Sequence, residues 1–186
     1  MEEIINNKPK HKVNNKTLLR KFDVDYFNKF LKEFQNESDR GAAIVGAAFL
    51  EDCLRTLLRN FLIADKGNVE QLLGSEKKRG FLSGLNANAT TAYCLGLISA
   101  DEYYDLQLIS SIRNRFAHHL HGLSFKDKLI SEKCNNLKWP TILDPEKQFN
   151  GPRNRFNMAI SVLITIIGVE ALNVENEKRK IKFMRL

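Results

Sequence analysis

Residues 99–121 read Ser-Ala-Asp-Glu-Tyr-Tyr-Asp-Leu-Gln-Leu-Ile-Ser-Ser-Ile-Arg-Asn-Arg-Phe-Ala-His-His-Leu-His, and this stretch decides the fold class. Ser99 followed three positions later by Glu102 is a capping box, in which each side chain satisfies a backbone N–H that the first helical turn leaves open. At about 100° per residue, Leu106, Ile109, Ile112, Phe116 and Leu120 then gather on one face and form a stripe for a core. Asn114, His118 and His121 fall on the far side, with Gln107 and Ser111 beside them. One face is therefore oil, and the other is a stripe of amide, hydroxyl and imidazole turned to solvent or a partner. Arg113 lies at the edge of the apolar face. Its guanidinium either reaches outward or ties to a carboxylate on another helix, for which Glu51 and Asp52 are the candidates.

Outward from this stretch the same 3.6-residue period recurs, and no run alternates with period 2. A first helix is expected from Asp25 as N-cap through Tyr26, Phe27, Phe30, Leu31 and Phe34. A long helix is expected over residues 39–63, with Leu50, Leu54, Leu57, Leu58 and Phe61 at helical spacing. Residues 68–73 read as a short turn of helix closed by Gly74, and residues 85–95 as a helix stopped at Gly96. Ser124 with Asp127 repeats the capping signature for a short helix ending near Cys134, and residues 154–177 form the last helix. Between them, residues 135–153 hold Pro140, Pro145, Pro152 and the one tryptophan, Trp139, and read as a long irregular connection. The expectation is an all-α, single-domain helical bundle of about six helices, with residues 39–63, 101–120 and 154–177 at its centre. Residues 1–24 read as a basic polar segment, 25–176 as the helical domain, and 177–186 as a basic tail.

Composition fits a folded domain: 186 residues, 43% hydrophobic and 27% charged, exclude wholesale disorder. The net charge of +7 is concentrated at the ends. Lys8, Lys10, Lys12, Lys16, Arg20 and Lys21 face only Glu2 and Glu3, and Lys178, Arg179, Lys180, Lys182 and Arg185 face only Glu177. The stretch between is close to neutral. Such ends suit either solubility or contact with an RNA or DNA backbone by counterion release, with Lys178, Arg179, Lys180 and Lys182 as the candidates. Cys53, Cys94 and Cys134 form no CxxC pair and read as free buried thiols in a reducing cytoplasm. No secretory leader is expected from the polar start, and the apolar run 158–172 reads as too short to span a membrane.

Two glycines stand inside the long helix, in Gly41-Ala-Ala-Ile-Val-Gly46-Ala-Ala. Each costs about 1 kcal/mol relative to Ala, so close approach of another backbone is expected there, either within the monomer or across a homodimer. His118 and His121 have no acidic or Cys partner at a ligand offset, so no metal is expected. No phosphate-cradling glycine loop or G-x-S-x-G elbow is present, and no cofactor is expected.

Three blocks carry a resemblance: Glu37-Ser-Asp-Arg-Gly-Ala-Ala-Ile-Val-Gly-Ala-Ala48, Tyr93-Cys-Leu-Gly-Leu-Ile98 and Ile112-Arg-Asn-Arg-Phe-Ala-His118. In this order, over roughly residues 25–175, the chain resembles the mannitol operon repressor family. The resemblance implies an all-helical regulatory protein without a recognisable DNA-binding motif, and this chain likewise shows no helix-turn-helix or zinc-finger pattern. It implies work through a protein partner. The third block also looks like the signature of HEPN-fold ribonucleases, onto which Arg113, Asn114 and His118 map. That alternative implies metal-independent RNA cleavage, with His118 moving a proton, Arg113 stabilising phosphate charge and Asn114 orienting the imidazole. One helix supplies one such set, so a homodimer would build a fuller cleft around Ser111, His121 and the motif.

Overall fold

The computed structural model describes residues 24–75, 77–119, 122–146 and 151–182. Eight α-helices occur among the described residues: α1 (Val24–Gln35), α2 (Asp39–Phe61), α3 (Lys66–Leu73), α4 (Leu85–Cys94), α5 (Ala100–His118), α6 (Lys128–Asn135), α7 (Lys138–Leu143) and α8 (Pro152–Asn173). A 3-10 turn, Val174–Glu177, follows α8. The all-α bundle is as expected. Its helix count exceeds six because α3 is a full helix and the segment expected to be irregular contains α7.

The long helix forms where its caps put it. Ser38 is extended, and its hydroxyl accepts from Gly41 N at 3.0 Å. From there α2 runs through the centre of the molecule, packed against α8, α4, α5, α1 and α3. Leu50, Leu54, Leu57 and Leu58 are fully buried, as are Leu106, Ile109 and Ile112 of α5 and Ile160, Leu163, Ile164 and Ile167 of α8. Gly46 meets two other helices of the same chain, whereas a Cβ on Gly41 would first meet the adjacent Glu37 and Ser38. A Cβ on Gly46 would sit 3.0 Å from Phe34 Cε2 and 3.2 Å from Ile160 Cδ1, so this buried glycine lets α1 and α8 close on α2.

The Ser99 capping box forms as read, with Glu102 N on the serine hydroxyl and Ser99 N on the glutamate carboxylate at 2.7 Å. Other boundaries move. Asp25 lies inside α1 rather than before it. Ser124 and Asp127 do not make a second box. Asp127 is itself the residue before α6, and its carboxylate turns back to accept from Ser124 N at 2.6 Å, closing the turn that leads in. Helix α7 depends on a residue far behind it in the chain: Asp105 accepts from Lys138 N at 2.8 Å and Trp139 N at 3.0 Å. Pro140 is tolerated because it stands in the first turn, where no N–H is needed for the helical ladder.

Pro152–Glu177 is, by length and composition alone, long and apolar enough to cross a membrane. The reading of this region as too short is corrected. Its apolar side is nevertheless spent on the bundle, with Phe156, Ala159, Ile160 and Leu163 fully buried. The cysteines are free, but not all buried. Cys134 is buried and Cys53 half-buried, and burial pushes both thiols up to about 12, with the Asp52 charge adding at Cys53. Cys94 is exposed at the end of α4.

Candidate functional site

Helix α5 delivers the polar stripe to the surface near its C-terminal end, and α2 fixes that end in place. Arg40 donates to the carbonyls of His119 (3.1 Å) and Ala117 (3.5 Å), placing a cation where the helix dipole is negative. Arg113, Asn114 and His118 are all exposed. Of the two placements open to Arg113 the outward one is found, and among the described residues no ion pair joins it to Glu51 or Asp52. Arg113 Nη1 donates instead to its neighbour, Asn114 Oδ1, at 3.0 Å. Glu51 is occupied elsewhere, accepting from Arg55 Nη2 at 2.6 Å and from Gly84 N at 3.2 Å. Asn114 therefore spends its amide oxygen on Arg113, and among the described residues no hydrogen bond joins it to His118.

Two concavities meet along this face. A cleft of about 570 Å³ is floored by Ile44, Ala47 and Ala48 of α2 and walled by Glu51, Arg55, Ser110, Arg113 and Asn114. Its opposite wall is the loop from Gly74 to Gly84 and the start of α4. A shallower groove of about 430 Å³ runs on from it past Gln107, Ser111, Arg115, His118 and His119. Asn86, Ser110 and Asn114 border both, so the two form one trough. Arg113 and Asn114 serve the cleft, Asn114 and His118 the groove, and Ser111 is half-buried in the groove wall. His121 lies outside the described residues.

The loop wall was not legible beforehand, although its signal was a Lys-Lys-Arg run between two glycines. It is held rigidly. Ser75 N donates to Lys78 O at 2.8 Å, Phe81 N to Gln71 O at 3.1 Å, and Leu82 N to Leu72 O at 2.8 Å. Gly74 ends α3 with φ +85°, a conformation open to glycine. Gly80 passes so close that a Cβ there would fall 2.2 Å from Gly74 N. Lys77, Lys78 and Arg79 are thus presented from a fixed backbone, all exposed.

The basic C-terminal candidates divide. Lys178 Nζ donates to Arg59 O at 3.2 Å, and Arg179 stacks on Phe61, 4.7 Å from the ring centroid, while Arg179 N donates to Phe61 O at 2.8 Å. Both therefore close the C-terminal end of α2 rather than hang free as a tail. Lys180 and Lys182 are exposed.

Comparison with known proteins adds family to this geometry. The chain shares its fold with a solved structure described as the MtlR-HPr complex from Escherichia coli, at a TM-score of 0.60 and 20% sequence identity, covering 77% of this chain and 99% of that one. No curated protein matches. The sequence profile of the mannitol repressor (MtlR) family matches residues 27–163, a span that takes in α2 to α7 and the trough, so the chain belongs to the mannitol repressor family.

Proposed function

We propose that this chain is a mannitol-repressor-type regulator that works by binding another protein, with HPr as the first partner to test. The observation that carries this reading is the family match over residues 27–163, supported by a fold relative whose solved structure is a complex with HPr. The trough carries the exposed side chains of Arg113, Asn114 and His118, as suits a surface for recognition. Size-exclusion chromatography of the purified chain mixed with HPr from the same organism tests the reading. Co-elution as a stoichiometric complex is expected, and separate elution at tens of micromolar of each protein would overturn HPr as the partner.

The ribonuclease alternative has lost one of its supports, since Asn114 pairs with Arg113 rather than with His118. Incubation of the protein with single-stranded RNA in excess EDTA, beside His118→Ala, decides it. The regulator reading expects no cleavage by either. Cleavage by wild type that disappears in a folded His118→Ala would revive the enzyme. A homodimer remains part of the proposal, resting on the polar stripe alone because Gly46 packs within the chain. Light scattering should give twice the 21.4 kDa chain mass.

A further inference from the structure

We propose that the cleft between α2, α5 and the Gly74–Gly84 loop binds a phosphorylated small molecule. The inference is independent of the protein-contact reading. Four cations on its described walls, Lys77, Lys78, Arg79 and Arg113, have no carboxylate partner. A fifth, Arg55, is already matched by Glu51 at 2.6 Å, so the described wall residues carry an excess of positive charge, one that Glu76, outside the described residues, would reduce by one without cancelling. Clustered like charges raise one another's electrostatic cost, and an anion bound among them relieves it.

Their placement is built rather than incidental. Three of the four stand on a loop fixed by backbone hydrogen bonds and by a glycine, Gly80, that tolerates no Cβ. The fourth stands on α5 with its guanidinium aligned by Asn114 Oδ1 at 3.0 Å. Little ordering of backbone is then required on binding, which favours affinity. Planar guanidinium forks match phosphate oxygens in pairs. Neutral donors complete the set: Ser83, Asn86 and Asn114 line the cleft, and α4 begins there with Gly84 at its N-cap, which offers no side-chain cap. The 10-residue α4 thus adds uncapped N–H groups at the positive end of its dipole.

Size and floor point to a small molecule. A volume of about 570 Å³ falls within the range of small-molecule pockets. Ile44, Ala47, Ala48 and Leu85 supply an apolar floor for a carbon skeleton, which an extended nucleic-acid backbone would not need.

Isothermal titration calorimetry with inorganic pyrophosphate in low-salt chloride buffer tests the inference. Saturable binding is expected, weakened at least about tenfold in Arg113→Gln and in Lys78→Gln, as fits loss of one charge-assisted bond. Lys128→Gln, an exposed lysine on α6, should bind as wild type does. Absence of saturable heat at millimolar pyrophosphate would overturn the proposal. So would equal weakening in Lys128→Gln, which would mark diffuse charge. In a third arm, a single-stranded oligonucleotide that pyrophosphate fails to displace from the Arg113-dependent site would assign the cleft to nucleic acid instead.

Discussion

The tetrapeptide Arg-Asn-Arg-Phe occurs twice in this chain, at residues 113–116 near the end of α5 and at 153–156 near the start of α8. Its two phenylalanines do the same work. Phe116 and Phe156 flank Phe125, with ring centroids 5.1 and 5.0 Å away. The arginines do not. In α8, Arg153 pairs with Asp39 at 2.7 Å, and Arg155, only 8% exposed, donates to the carbonyls of Cys134 (3.1 Å), Asn135 (3.2 Å) and Leu137 (3.1 Å) and to the Thr141 hydroxyl (2.6 Å). The Cys134 and Asn135 carbonyls belong to the C-terminal end of α6, where the helix dipole welcomes a cation, and the Leu137 carbonyl stands just before α7. In α5, the Arg113 side chain hydrogen-bonds only Asn114 among the described residues. The phenylalanines are core in both helices, whereas the first arginine is mortar in α8 and exposed in α5. The lesson is that an R-N-x-x-x-H reading rests on what surrounds the arginine, not on the letters.

Four substitutions break or sharpen this contrast. The largest effect is expected at Phe125, the ring on which both copies close. Phe125→Ala should cost about 3–5 kcal/mol by urea denaturation, and a cost under about 1 kcal/mol would mean the two tetrapeptides do not share a core. Arg155→Met comes next. It keeps the length but removes the buried guanidinium from the carbonyls of Cys134, Asn135 and Leu137 and from the Thr141 hydroxyl, so a loss of about 3 kcal/mol is expected.

Asp105 holds the N-terminal end of α7 from within α5, and its replacement is a smaller effect with a pH signature. Burial raises its carboxyl above the ordinary value of 3.8, against the opposing pull of the Lys138 and Trp139 N–H groups. A folded-state value above the unfolded one means the folded chain binds this proton more tightly. The group's contribution is therefore fully present below 3.8 and is lost as pH rises through the folded value. Asp105→Asn should cost about 1–3 kcal/mol at neutral pH. Unfolding curves from acid to neutral should show wild type losing stability relative to the variant as pH rises, and a gap that widens with pH would contradict the burial argument. The smallest effect is Arg113→Gln. With no carboxylate to strand, it should shift stability by no more than about 0.5 kcal/mol, and a loss near that of Arg155→Met would erase the distinction between the two copies.

The sequence by itself determined that the molecule is helical, where α2 and α5 begin, and which residues of α5 face inward. These are local matters: a capping serine, a glutamate three residues on and an apolar period act within a few turns, so their signal is contiguous. Family was also legible, from three blocks that the fold brings together through α2 and α5. Only the tertiary structure decided the rest. Helix α7 was hidden because its cap, Asp105, is 33 residues before Lys138. The packing of Gly46 needed the positions of Phe34 and Ile160. The Lys77–Arg79 wall of the cleft is a run of charges with no period, given direction only by hydrogen bonds back to α3. Which arginine of two identical tetrapeptides is buried and which is free was set by the neighbours that packing supplied: a bare helix end and a carboxylate for one copy, and solvent for the other.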